Sequence, residues 1–303
     1  MTLVKFAVQD FMDERELMNV SKHTITNYRS FFKGWLEWLR ENNIQDIEEV
    51  STNTLRLYLS YCKNELGNGS NTINNKIKHL RAFFNHLMEN EFIEHNPCLK
   101  LKKQQTDERI EVFNDFHIRM MLRYLRRIKR KDHEFTSVRN TCAIKLLLGT
   151  GIRLGEMQGL RWSDVTNSYI TVFGKGRKSE TVLLSKKVYE ELMDWKKYQE
   201  KYFNSNIEYI FVDRSGVQLS YEACKGIFKG LQSALGFKDV RLSAHTFRHT
   251  FAQRYLLAGG DPFSLQRILR HTNISMTEKY TSMWGMALQE QNEKYNPLNN
   301  IEI

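Results

Sequence analysis

AHTFRHTF, residues 244–251, opens a run that continues as HTFRHTFAQRYLL to Leu257, and its spacing predicts a helix with two unlike faces. His245 and Arg248 lie three apart and project from one side, while Phe247, Phe251 and Tyr255 recur at four-residue spacing as an apolar stripe. The polar pair is read as facing a site and the aromatics as facing a core. His249 turns about 100° away from Arg248 on a 3.6-residue helix and is read as structural.

Upstream, Arg153 stands in GTGIRLGE (149–156), with Glu156 three residues on, so that on a helix the carboxylate can hold the guanidinium in one rotamer. Lys175 stands in FGKGRKSE (173–180), between two segments that read as strands. Downstream, the helix DPFSLQRILR has Asp261 as N-cap and Pro262 at its first position. His271 follows it in LRHTNIS, and Tyr280 closes the series in MTEKYTS, where Ser275 and Glu278 have the spacing of a capping box. In order these give R, K, H-x-x-R, H and Y.

Each type answers a need of phosphoryl transfer: fixed donors for a five-coordinate phosphate, an attacking oxygen, and a proton for the departing one. Arg153 and Arg248 carry the fork that matches phosphate oxygens. Tyr280 supplies a nucleophile whose phosphotyrosyl ester keeps the energy of the original bond, so religation needs no ATP. His245 reads either as the acid–base partner of that phenol or as a phosphate donor.

The ordered set resembles the tyrosine recombinases, the family of the phage integrases and the Xer proteins. It departs from their pattern at Arg270, where the family commonly has Gly in an L-G-H segment. The resemblance implies a mainly α, two-domain C-shaped DNA clamp. Its parts are a four-helix core-binding domain and an α+β catalytic domain with a small β-hairpin. It also implies His271 as a phosphate donor and Lys175 as general acid for the 5′ oxygen, with Lys178 the runner-up, while Arg177 and Lys178 are read chiefly as DNA-backbone contacts. The implied activity is metal- and cofactor-free strand cleavage and transfer through a Holliday junction by four protomers, with accessory DNA-bending proteins as further partners. The alternatives are a type IB topoisomerase-like enzyme, which rejoins the original strand, and a non-catalytic DNA-binding regulator on the same scaffold.

Charge points to the same partner. The 303 residues carry a net charge of +10, unevenly placed: residues 1–106 hold 14 Lys+Arg against 13 Asp+Glu, and residues 107–303 hold 31 against 22. An excess concentrated beside the phosphate-handling motifs favours a polyanion such as duplex DNA. Cys62, Cys98, Cys142 and Cys224 form no C-x-x-C pair and have no His at zinc-ligand spacing, so neither a disulfide framework nor a metal site is expected. Early acidic residues argue against a signal peptide, and apolar stretches such as CAIKLLLG are interrupted by charge; the expectation is a soluble cytoplasmic, nucleoid-associated protein.

Apolar periodicity divides the first 95 residues into four helices, with Ser21 and Ser51 as N-caps of the second and third and GNGS (67–70) before the fourth. Lys22, Thr26, Arg29 and Lys33 on the second helix, and Asn71, Asn74 and Lys78 on the fourth, follow near-helical spacing; these faces either read DNA or are simply solvated. NPCLKLKKQQTDER (96–109) is read as a linker, tracking a phosphate backbone or kept in solvent by its charge. The catalytic domain is placed at 110–303, with YITVFG and TVLLS as hairpin strands and YIFV (209–212) as a possible further strand. From about 286 the tail MALQEQNEKYNPLNNIEI carries Met286, Leu288, Tyr295, Leu298, Ile301 and Ile303, anchors for docking on a neighbouring protomer or back on its own domain.

Overall fold

The computed structural model describes residues 2–106, 110–129, 133–173 and 179–270. Lys175, Arg177, Lys178, His271, Tyr280 and the tail from about 286 therefore lie outside the described residues. The chain separates into two compact units, 1–108 and 109–303.

The first unit contains the four expected helices, α1 (Val4–Leu17), α2 (Lys22–Glu41), α3 (Thr52–Asn64) and α4 (Ser70–Glu89). Their ends follow the capping chemistry of the sequence. Ser21 accepts from the Thr24 amide at 3.3 Å, and Ser51 from the Thr54 amide at 3.2 Å. Gly69 caps α4, preceded by Gly67 at φ +62°. The apolar stripes meet in an aromatic core in which Phe11, Phe32, Trp35, Tyr58, Phe83 and Phe84 are each at most 2 % exposed. Phe11 packs edge-on to Phe83 at 5.8 Å and to Phe32 at 5.6 Å. Each such ring contributes about 1.5–3 kcal/mol by leaving water.

The segment read as a linker belongs, over its described part, to this first unit. Cys98 and Leu101 are buried in its core. Thr52 donates to the Pro97 carbonyl at 2.8 Å, Arg81 to the Leu101 carbonyl at 2.5 Å, and the Asn74 side chain exchanges two hydrogen bonds with the backbone of Gln104 at 2.8 and 2.9 Å. Low average hydrophobicity hid two apolar anchors three residues apart, which with these side-chain clasps strap the segment across α3 and α4. Lys100, Lys102 and Lys103 stay exposed along it.

The second unit is built from α5 (Asp115–Lys129), α6 (Glu134–Thr150), α7 (Leu154–Gln158), a hairpin of β1 (Tyr169–Phe173) and β2 (Ser179–Leu183), α8 (Lys186–Phe203), α9 (Tyr221–Leu235), α10 (Ala244–Leu257) and α11 (Pro262–Leu269). The strands pair antiparallel with Thr171 opposite Thr181, and they turn Ile170, Val172 and Val182 into the core. YIFV does not extend this sheet. It forms only isolated bridges, Arg161 with Tyr209 and Val212 with Gln218. Its backbone is satisfied instead by side chains and two loops: Gln199 donates to the Tyr209 carbonyl, Trp195 to Ile210 and Arg139 to Val212, the Ile210 amide donates to Leu160, and the Phe211 carbonyl accepts from the Leu219 amide. With those groups occupied, three fully buried side chains pack without a ladder.

No helix among the described residues is long and apolar enough to cross a membrane. All four cysteines are buried and unpaired, and burial pushes the thiols of Cys98 and Cys224 up to about 12 and about 11.

Candidate active site

Gly151 starts the site. It ends α6 at φ +62°, and a Cβ there would meet Leu269 Cδ2 at 2.7 Å and Phe251 Cδ1 at 2.8 Å, so glycine is required by both conformation and space. The turn it permits presents Arg153 at the N-cap of α7, where Glu156 accepts from the Arg153 amide at 3.0 Å and from its Nη1 at 2.8 Å. The pairing expected from two residues on one helix face is thus made across a helix start. The carboxylate is almost wholly buried, while the Arg153 side chain keeps 39 % of its surface exposed, available to a ligand.

α10 carries the second half. Ser243 caps it by accepting from the Thr246 amide at 3.2 Å. Arg248 is buried and donates through Nη1 to the Gly151 carbonyl at 2.7 Å and through Nη2 to the Leu269 carbonyl, joining the end of α6 to the end of α11. The helix is less two-faced than its spacing suggests. Phe247 enters the main core, Phe251 and Tyr255 flank a smaller cluster of Ala252, Leu256, Leu265 and Leu269, and Thr246 and Thr250 are buried as well. Buried threonines are tolerated because their hydroxyls are bonded: Thr250 donates to the Thr246 carbonyl and accepts from the Phe113 amide, both at 2.8 Å. His249 is half-buried.

His245 reaches solvent, yet desolvation around the ring lowers its pKa, and the charges of Arg248 and Arg153 lower it further. All three groups therefore share one electrostatic neighbourhood. The shift favours the uncharged imidazole, the form that can accept a proton. Among the described residues no group of three or more His, Cys, Asp or Glu side chains is gathered as metal ligands.

Arg270 is the member that sequence reasoning treated as a misfit. It caps α11 at φ +55°, ψ +48°, as expected of a residue at the glycine position, but its side chain turns into the site with only 6 % exposure. Its Nη2 lies 2.5 Å from Glu156 Oε2, its Nε 3.3 Å from Glu180 Oε2 on β2, and its carbonyl accepts from Arg153 Nη2 at 2.9 Å. The signal was an arginine where glycine is common; nothing in the spacing pointed to Glu180.

In the first unit, Lys22, Thr26, Arg29 and Lys33 share an exposed face of α2, with Arg29 paired to Glu16 at 2.5 Å and the Thr26 hydroxyl donating to the Lys22 carbonyl at 2.9 Å. Asn71 and Lys78 are exposed on α4. The Asn74 amide is bonded to the Gln104 backbone at both ends, which gives that residue a structural task.

Arg153, the buried Arg248 and the His245 imidazole, set around the turn that Glu156 braces, have the chemistry to meet an oxyanion, on a mainly helical scaffold. Residues 118–284 match the Phage integrase family and residues 9–91 its N-terminal SAM-like domain, so the chain belongs to the phage integrase family. It is 25 % identical over 309 residues to tyrosine recombinase XerD of Oceanobacillus iheyensis, covering 97 % of this chain and 99 % of the relative. It is 29 % identical over 289 residues to XerC of the same organism, covering 92 % of each. Among solved structures, XerH recombinase bound to palindromic difH superposes with a TM-score of 0.75 at 20 % identity, over 90 % of this chain and 80 % of that one. A lambda integrase fragment, residues 75–356, bound to a core site gives 0.73 at 17 %, over 91 % and 97 %. At such identities the likeness is one of fold.

Proposed function

We propose that this chain is a site-specific tyrosine recombinase that cuts and rejoins duplex DNA. Tyr280 attacks the scissile phosphate, leaving a 3′-phosphotyrosyl bond and a 5′-hydroxyl that attacks the equivalent bond in a partner duplex. Arg153 and Arg248 hold the non-bridging oxygens, with His271 as a further donor, and His245 works at the phenol or the phosphate. Lys175 protonates the departing 5′ oxygen, with Lys178 the alternative, and Arg177 follows the DNA backbone. Side-chain cations do the work that metal ions do in other phosphoryl-transfer sites. Four protomers pass through a Holliday junction in the cytoplasm at the nucleoid, their tails docking between neighbours, with DNA-bending proteins as helpers.

The observation that supports this reading is the bond from Arg248 to the Gly151 carbonyl, which sets the H-x-x-R arginine against the turn that carries Arg153, in a member of the phage integrase family. Relatives named as tyrosine recombinases over nearly the whole chain favour strand exchange over simple relaxation or a regulatory role. Tyr280→Phe keeps the ring and removes the nucleophilic oxygen. On a nicked suicide substrate the intact protein should form a covalent adduct, and the Phe variant should bind the same DNA with none; an adduct in the variant would assign the nucleophile elsewhere.

A further inference from the structure

Arg270 combines three features seldom found together: a non-glycine residue in the left-handed region, a buried guanidinium, and two carboxylate partners from different elements. Glycine would meet the backbone requirement without strain, so the arginine is held there by what its side chain does. Burial alone disfavours its charge and lowers its pKa, and Glu156 is the chief group opposing that effect.

The hydrogen bonds form a closed circuit. Arg153 Nη1 bonds Glu156 Oε1, Glu156 Oε2 bonds Arg270 Nη2, and the Arg270 carbonyl accepts from Arg153 Nη2. One residue therefore grips the Arg153 guanidinium from two sides, directly through its backbone and indirectly through the carboxylate it shares. A buried carboxylate facing Arg153 alone would offset much of the cation meant for phosphate; a second guanidinium on its other oxygen shares that carboxylate, and the Glu180 carboxylate that Arg270 meets in turn is 40 % exposed, where solvent screens its opposing charge. Glu180 brings the first residues of β2 to the same point.

We propose that Arg270 is a positioning residue for the oxyanion clamp: by holding Glu156 it fixes the orientation and preserves the charge of Arg153, and through Glu180 it ties the hairpin to that clamp. This rests on the recombinase reading, in which Arg153 meets the scissile phosphate.

The test is single-turnover adduct formation on a nicked suicide half-site at saturating DNA, with half-site affinity measured alongside. Arg270→Gly, which suits the backbone, should slow adduct formation roughly 10- to 100-fold while half-site affinity changes less than about threefold. Arg270→Lys should recover part of the rate, since an ammonium can still pair with Glu156. Should the glycine variant fold poorly around an orphaned Glu156, the double variant Arg270→Gly with Glu156→Gln removes that charge, and it should be no slower than Glu156→Gln alone, because both act through one guanidinium. Normal adduct kinetics in Arg270→Gly beside a normal intact protein overturn the proposal and leave the recombinase reading standing. Rate and affinity falling together, with no recovery by lysine, also overturn it in favour of a purely structural role. No adduct with the intact protein overturns the underlying reading and the proposal with it.

Discussion

At the scale of the residue, His245 shows how a site sets its own proton balance. Desolvation first, then the charges of Arg248 and Arg153, hold its folded pKa below the ordinary value of about 6.5. The unfolded chain therefore takes up a proton on acidification that the folded protein resists. The resulting contribution to stability is intact above the unfolded value and lost as pH falls through the window down to the folded one. Thermal scans from about pH 7 to about pH 5 should show the intact protein losing stability relative to His245→Gln; a relative gain on acidification would contradict the assigned shift. The same residues mark the reach of sequence reasoning. Arg153 and Glu156 are three apart and announce their pairing, whereas Arg270 meets Glu156 only through folding. No local period encodes that contact, and an arginine at a glycine position reads as an imperfect match until its side chain is seen to fill the site.

At the scale of the element, legibility followed backbone satisfaction. The four helices of the first unit, the hairpin and the start of α11 carry caps and periodicities that state their own ends; Asp261 accepts from the Ser264 amide at 2.6 Å as its position suggests. YIFV and the strap after α4 are held instead by side chains from elsewhere, which no window of sequence contains. That difference separates two residues grouped together by spacing. Asn74→Ala strips both hydrogen bonds from the Gln104 backbone and should destabilise the first unit by on the order of 1–3 kcal/mol, seen as a lower Tm with site preference unchanged. Lys33→Ala, on the exposed face of α2, should leave Tm in place and reduce the salt dependence of DNA binding by about one phosphate contact. An unaltered Tm with a changed footprint for Asn74→Ala would restore that residue to base reading.

At the scale of the whole molecule, charge and apolar surface are unequally shared. The first unit carries 14 Lys+Arg against 15 Asp+Glu, and the second 31 against 20, so the electrostatic attraction to a polyanion resides in the unit with the site. In that unit Leu257 and Phe263, near the junction of α10 and α11, are 53 % and 68 % exposed. The motif series is complete at Tyr280, yet the sequence continues with six large apolar residues from Met286 to Ile303, more than a solvated tail requires. Strand exchange needs protomers held together, and cleavage of one half-site does not, so a chain ending at Gly285 separates the two demands. It should bind a single half-site with the affinity of the intact protein and fail to assemble on two sites, with recombination lost in step. Gel-shift and light-scattering measurements on half and full sites read these outcomes directly. Recombination of two full sites by the shortened chain at the intact rate would show that the tail packs on its own domain and that assembly is built from other surfaces.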